Sequence, residues 1–397
     1  MGSDPGFLGS DPGVILWSGS DPDVIQGTKQ MNIKRIKPIA ISLPMAKPIK
    51  MAGVELRTAD NVLVRLETDK GIVGWGEAAS APSMTGETVE SMMAAIRYLV
   101  PTLEGAPLAD IAGVSDRMDR ALYGNYAAKS AIEIALHDAL GKATDKPVYE
   151  LLGGKRRDRI AMLRMIAASD PAADIKEARR CKSEGYVAFK VKVGTGDPLH
   201  DAQRTRQVCE ALGRDVLVCA DANQGWSVDE AISYVRGLEG SGLAFFEQPV
   251  MGHDLAGMAR VAAASSIAIG FDEGLHHLDD VRRHHEARAG KGASLKTIKL
   301  GGIKPVLEAA KLCQTFGMKV NLAGKMSESW IATAAVLHLA AAVPSLDWGV
   351  SLTSPYLSED ILARPLEFSG GHAQVPSGAG LGIEVDEARV RRFAIAT

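Results

Sequence analysis

From Arg159 onward the chain settles into a rhythm that leaves few possible folds: short apolar runs of strand length alternate with segments of helical length and period. The runs fall at residues 160–167, 188–193, 216–221, 243–247, 267–272, 295–300, 320–323 and 346–350, with stretches such as 231–238 and 306–316 between them. Eight strand–helix units in roughly 200 residues are the pattern of a (β/α)8-type barrel. An open doubly wound sheet rarely needs eight evenly spaced parallel strands.

The region before the barrel reads differently. Two β-rich stretches occupy 36–66, and Asp69-Lys70-Gly71 supplies a hairpin turn before Ile72-Val73-Gly74-Trp75-Gly76-Glu77. Ala128, Ala131, Ile132, Ala135, Leu136 and Ala139 then recur at helical steps, predicting one apolar face, and Gly153-Gly154 closes the region. Strands followed by helices without alternation indicate a separate α+β capping domain. The expected division is a capping domain over 31–155, a barrel over 156–363, and a Gly/Pro-rich segment over 364–397 that returns to the cap or the barrel mouth. Residues 1–30 stand apart. Gly2-Ser3-Asp4-Pro5 recurs as Gly9-Ser10-Asp11-Pro12 and Gly19-Ser20-Asp21-Pro22, a tag-like leader that builds no core, although Val14-Ile15-Leu16-Trp17 has packing capacity. Met31 is then the expected natural start.

Composition removes several function classes. Forty-five Lys+Arg against 48 Asp+Glu give a net charge of −3, without the basic excess of a nucleic-acid binder. No run of 18 apolar residues exists, so no membrane-spanning helix is expected. Cys181, Cys209, Cys219 and Cys313 form no CxxC pair and read as reduced thiols of a cytoplasmic protein.

In a barrel, chemistry gathers at the C-terminal strand ends. Here those ends are charged: Lys190-Val191-Lys192 on the second strand, Asp221-Ala222-Asn223 on the third, Glu247-Gln248-Pro249 on the fourth, Asp272-Glu273 on the fifth, Lys296 on the sixth. Asp221, Glu247 and Asp272 lie 26 and 25 positions apart, one strand–helix unit each, and so project into one space. Three such carboxylates repel unless neutralised, and an oxygen-only set suits Mg²⁺ or Mn²⁺. Taken singly, each acid could cap a helix or pair with a lysine; three in register with lysines on both sides make that a weaker account. The period of two puts the Lys190 and Lys192 amines on one face, and Lys190 supplies a like charge beside Lys192.

This constellation resembles the enolase superfamily, in particular its muconate-lactonizing subgroup. The resemblance runs from about Met31 to the C-terminus. In the first domain it rests on Gly74-Trp75-Gly76-Glu77-Ala78, Lys129-Ser130-Ala131-Ile132-Glu133 and Pro147-Val148-Tyr149-Glu150-Leu151-Leu152-Gly153-Gly154. In the barrel it adds the strand-end residues above, Lys296-Thr297-Ile298-Lys299-Leu300-Gly301-Gly302, and Met326-Ser327-Glu328-Ser329. It implies that Asp221, Glu247 and Asp272 hold Mg²⁺ or Mn²⁺ and that Lys192 and Lys296 form the acid–base pair. Lys190, Asn223 and Glu273 would support them, Glu328 would position substrate, and the chain would form a homo-oligomer. Lys296 is preferred to Lys299 because it stands five residues before Gly301. The mandelate-racemase branch carries a histidine base on strand seven, and Asn321-Leu322-Ala323-Gly324-Lys325 has none.

The implied chemistry is removal of a proton α to the carboxylate of a small-molecule substrate. Lysines on both faces favour racemisation or epimerisation of an α-amino acid or N-substituted derivative. The alternatives are muconate-type cycloisomerisation and, in another class, a barrel that binds carboxylates without turnover. Specificity is expected from mobile first-domain loops at 45–57 and 79–87. Lys47-Pro48-Ile49-Lys50 is similar to a cycloisomerase loop, whereas 79–87 lacks the Gly-Gly character of one. Asp347-Trp348-Gly349 lacks the second acid of the Asp-x-Asp pair in dipeptide epimerases. His276-His277 and His284-His285 read as the solvated face of a surface helix, Gly194-Thr195-Gly196 as a turn, and Met84 and Met326 as core or pocket lining.

Overall fold

The computed structural model describes residues 30–51, 54–168, 170–326 and 328–397. The tag-like repeats and Val14-Ile15-Leu16-Trp17 lie outside the described residues, as does Ser327.

Three antiparallel strands, β1 (Ile33–Met51), β2 (Val54–Thr68) and β3 (Val73–Ala79), form the cap sheet in that order. The turn at Asp69-Lys70-Gly71 is where expected, with Gly71 at φ +82° and Ile72 O accepting from Thr68 N–H at 2.9 Å. Within 45–57, the described residues around 49–51 and 54–56 are strand, not free loop. After a register shift between Pro44 and Ile49 the β1–β2 ladder resumes through Ile49–Leu56 and Lys50–Glu55. Helices Val89–Leu103 and Tyr126–Ala143 pack on this sheet, and Ile111–Ala121 packs against those two helices. Tyr126–Ala143 is buried on nearly every side, not on one apolar face, because it lies between the cap sheet and the barrel. Gly74 and Gly76 permit that approach: a Cβ at either would strike the helix backbone at Ala135 or Ala131.

The strands that follow are β4 (Arg159–Ala161), β5 (Leu163–Ile166), β6 (Ala188–Lys192), β7 (Leu217–Asp221), β8 (Phe245–Glu247), β9 (Ala268–Phe271), β10 (Gly292–Leu295), β11 (Lys319–Ala323) and β12 (Val350–Ser351). Strands β5 to β12 pair in parallel in sequence order, and a parallel bridge between Met162 and Val350 closes the ring. The expected first strand is therefore two. β4 leaves the barrel to pair with the tail strands β13 (Phe368–Ser369) and β14 (His372–Gln374). The sixth strand ends earlier than expected, at Leu295, and Thr297–Leu300 is a helical turn that leaves Lys296 at the strand tip.

Side chains pointing inward near the N-terminal end plug the barrel. Phe245 stacks on Trp348 with ring centroids 4.0 Å apart, beside Leu163, Ala188 and Cys219. Gly270 and Gly292 are glycines because a Cβ at either would meet the Trp348 indole, at 2.9 and 2.5 Å. All four cysteines are free and buried. The final helix, Glu387–Phe393, returns to the cap: Ile395 N–H donates to Ala40 O at 3.0 Å, and Glu387 pairs with Arg65 at 3.0 Å.

Cap and barrel are joined by buried cap carboxylates that receive barrel N–H groups. Glu77 of β3 accepts from Ser329 N–H (2.8 Å), Ser329 O–H (2.6 Å) and Ala332 N–H (3.0 Å), at the N-terminus of helix Trp330–Ala342. Glu133 accepts from Ile303 and Lys304 N–H at 2.7 and 2.9 Å, at the start of helix Ile303–Thr315. A carboxylate at a helix N-terminus fills unsatisfied donors and complements the helix dipole. No helix among the described residues is long and apolar enough to cross a membrane.

Candidate active site

Strand register brings the charged tips together. Lys192 of β6 lies opposite Asp221 of β7, and Asp221 opposite Glu247 of β8. Asp272 and Glu273 follow β9 directly, and Lys296 follows β10. The alternation of side chains along a strand turns Lys190, Lys192 and the acids inward above the Phe245–Trp348 plug. They line a cavity of about 340 Å³. Lys190, Lys192, Asn223, Lys296 and the four strand-end acids all face it. The cap contributes Ser83 and Met84, so 79–87 does reach the mouth, and Met326 also lines it.

Each of the three expected acids is paired with an amine. Lys190 Nζ lies 2.6 Å from Glu247, and Lys192 Nζ donates at 2.6 Å to both Asp221 and Asn223 Oδ1. Lys296 bonds one oxygen of Asp272, and Lys299 Nζ lies 2.5 Å from the other. Burial disfavours the charge on Asp221 and Asp272, but the lysines beside them outweigh it and hold both carboxyls below the usual range. At Glu247 burial wins over Lys190, helped by the like charges of Asp221 and Asp272, and its pKa is raised. Burial with the same two neighbours pushes Glu273 up to about 7. Lys190 and Lys296 are held charged by their carboxylates against burial, whereas burial lowers Lys299.

Glu247 Oε1 is buried without a hydrogen-bond partner among the described residues. An acceptor left so is costly, and it points to a cation or donor yet to be received there. Asp221, Glu247 and Asp272, all oxygen donors, fit a hard divalent ion in this respect. Among the described residues no three His, Cys, Asp or Glu side chains converge into a ready-made cluster. Lysine amines stand in the intervening space, with Lys190 Nζ 2.6 Å from Glu247 and 3.8 Å from Asp221.

Lys299 is fully buried and also donates to Asp272 O and Ser294 O, so it braces the strand tips, and of the two lysines only Lys296 faces the cavity. Asn223 links Lys192 to Glu273 Oε1 at 3.0 Å. Glu328 is buried behind the cavity wall, its carboxylate over Gly324, and burial pushes it up to about 8. It is not among the lining residues.

Several supports were not singled out from sequence. Buried Arg204 bonds Asp174, Asp201 and Lys192 O, fixing the tip of β6. Gln248 Oε1 accepts from Asp272 and Gly274 N–H at 2.8 and 3.1 Å. Asn223, Gln224 and Gln248 hold φ of +44°, +68° and +36°, a strained backbone of the kind that collects at functional sites. Lys325, noted earlier only as part of a stretch without histidine, lines the cavity as a fourth amine.

Two placements differ from expectation. Asp347 lies at the opposite end of the barrel, bonded to Lys319 at the start of β11. The two-residue strand β12 begins only at Val350, so its tip is Ser351-Leu352-Thr353, which also carries no acid. His284 is not solvated: it is buried, stacked on Phe271 at 4.0 Å, while His277 caps helix Leu278–Glu286.

Two family models match the chain: "Mandelate racemase / muconate lactonizing enzyme, N-terminal domain" over residues 35–153 and "Enolase C-terminal domain-like" over 173–389. Chloromuconate cycloisomerase CbnB of Cupriavidus necator is 33% identical over 368 residues, covering 91% of this chain and 99% of that protein. N-succinyl-L-Arg/Lys racemase of Bacillus cereus is 31% identical, covering 92% and 98%. The crystal structure of muconate lactonizing enzyme from Pseudomonas fluorescens complexed with muconolactone superposes with a TM-score of 0.88 at 33% identity, over 92% of this chain and 99% of that one. With both domains matched and the charged strand tips assembled at one cavity, the chain belongs to the mandelate racemase/muconate lactonizing enzyme family of the enolase superfamily.

Proposed function

We propose that this chain removes and returns a proton α to a substrate carboxylate, with Lys192 and Lys296 as the acid–base pair, and that it racemises or epimerises an α-amino acid or N-substituted derivative. The observation that carries the reading is the placement of the two amines. Lys192 ends β6 and Lys296 follows β10, with the acids of β7, β8 and β9 between them, so the amines face one cavity from opposite flanks. A free amine on one side takes the α-proton, breaking C–H and forming N–H. An ammonium on the other side gives its proton to the opposite face of the carbon, which inverts it.

Asp221, Glu247 and Asp272 would hold the divalent cation, Mg²⁺ or Mn²⁺, and the orphaned Glu247 oxygen supports that assignment. Bound there, such a cation supplies positive charge where the substrate carboxylate gains negative charge. Lys190 neutralises Glu247, and Asn223 orients Lys192 through its 2.6 Å bond. Glu273 supports the site through Asn223, and Glu328 acts from behind the wall near Lys325.

Muconate-type lactonisation is the second reading, favoured by a cycloisomerase relative at 33% identity. It needs only one of the two lysines as proton donor. The test is α-proton exchange in D2O with Mg²⁺, followed by mass spectrometry over free amino acids, N-acyl amino acids and cis,cis-muconate. The proposal expects metal-dependent deuterium uptake into both enantiomers of one amino-acid class. Lactone formation from muconate with no exchange into amino acids would overturn it in favour of the second reading.

A further inference from the structure

Three of the four cavity amines already have carboxylate partners: Lys190 with Glu247, Lys192 with Asp221, Lys296 with Asp272. Lys325 is different. It follows Gly324 at the tip of β11, lines the same cavity and makes no side-chain hydrogen bond or ion pair to any described residue. Its own backbone carbonyl is fully engaged, accepting from Glu328 N–H at 3.2 Å and Thr353 O–H at 2.6 Å, so the stem is anchored while the amine is left free. Burial, together with the charges of Lys296 and Lys192, lowers its pKa to about 8 even though Glu328 and Glu273 pull the other way. A buried amine among like charges is held at a cost unless something negative arrives to meet it.

We infer that Lys325 is a specificity-determining residue that receives a second anionic group of the substrate, so that the site takes molecules with two carboxylates. This rests on the reading proposed above, in which the first carboxylate sits beside the strand-end acids and the α-carbon lies between Lys192 and Lys296. The second carboxylate is then directed toward the tip of β11. Two sources share this chemistry: an N-acyl amino acid whose acyl chain ends in a carboxylate, and an unsaturated linear dicarboxylate. Neighbouring lining groups suit the connecting chain, since Met326 and Leu352 flank Lys325 and are apolar.

The test uses ligands without an α-proton, so binding is read whether or not proton exchange ever occurs. The full-length protein with Mg²⁺ is titrated calorimetrically with N-succinyl-2-aminoisobutyrate against N-acetyl-2-aminoisobutyrate, and with adipate against hexanoate. In the first pair the second carboxylate ends an acyl chain; in the second it ends a linear dicarboxylate. The expected result is that one dicarboxylate binds at least about tenfold more tightly than its monocarboxylate partner, as for a hydrogen bond to a charged group. The preferred pair names the source. Lys325→Met should erase that preference while leaving monocarboxylate binding within about twofold, and Lys325→Arg should retain part of it. Equal binding of both members of both pairs by the unmutated protein would overturn the inference, whatever the variants do. So would a dicarboxylate preference undiminished in folded Lys325→Met. Failure of α-exchange alongside a Lys325-dependent preference would instead count against the reaction and leave the recognition role standing.

Discussion

Glu77 in the cap and Glu247 in the barrel are both fully buried carboxylates, yet their surroundings differ in kind. Glu77 accepts from Asn61 Nδ2, from Ser329 N–H and O–H, and from Ala332 N–H, so both oxygens are occupied by neutral donors. Glu133 is filled in the same way by two N–H groups of the next barrel helix. Glu247 meets a lysine at one oxygen and, among the described residues, no hydrogen-bond partner at the other. Closed carboxylates staple the cap to the barrel; the strand-end acids are instead countered by lysine amines, and Glu247 keeps one oxygen open among the described residues. The difference separates the acids that hold the fold from those proposed to hold the cation, although both kinds sit in conspicuous motifs.

The largest effect should come from the open set. Lys192→Met and Lys296→Met are each expected to slow α-exchange by about a thousandfold or more, the scale of a lost general acid or base. Melting temperatures should move by no more than about 4 °C, read by calorimetry. Near-normal exchange in either variant would break the contrast on its functional side.

The closed set predicts the opposite balance. Glu77→Gln turns an amide NH₂ toward donors that need an acceptor, and it should cost about 3 kcal/mol of stability by denaturant unfolding. In the variant that remains folded, exchange should stay within about tenfold of normal, because Glu77 does not line the cavity. Unchanged stability would show that Glu77 is no staple.

A pH-dependent effect, no larger than that one, sits at the same junction. His338 is buried, accepts from Tyr149 N–H at 3.2 Å through Nδ1, and burial lowers its pKa to about 4. The unfolded chain binds this proton near pH 6.5, the folded chain only near 4. Its contribution to stability is therefore complete above pH 6.5 and is lost as pH falls toward 4, about 3 kcal/mol at most. His338→Asn, which keeps an acceptor for Tyr149, should flatten that part of the stability–pH curve. An unchanged slope would place the acid sensitivity elsewhere.

Much of the open set was legible in sequence because two simple rules map residues onto barrel space. A period of two put Lys190 and Lys192 on one face, and a spacing of one strand–helix unit brought Asp221, Glu247 and Asp272 to neighbouring tips. The closed set was visible only as motifs. Glu77 and Ser329 are 252 positions apart, and no local pattern announces that a cap acid will receive a barrel helix. Lys325 escaped notice because a lone lysine after a strand looks like a solvated loop residue; its burial depends on what surrounds it in space. Asp347 was placed at the wrong end because β12 has only two residues, too short to show where a strand starts. Tyr126–Ala143 showed its apolar positions but not that its charged ones, Lys129, Glu133 and Asp138, would be buried too.

The barrel acids Asp221, Glu247 and Asp272 are expected to receive a divalent cation, and the closed cap carboxylates are not. Mn²⁺ binding, followed by electron paramagnetic resonance well below the melting temperature, tests it most directly across the unmutated protein, Glu247→Gln and Glu77→Gln. The account predicts one Mn²⁺ per chain in the unmutated protein and in Glu77→Gln, with affinity reduced at least about tenfold in Glu247→Gln. Equal binding by all three, or loss in Glu77→Gln alone, would contradict it.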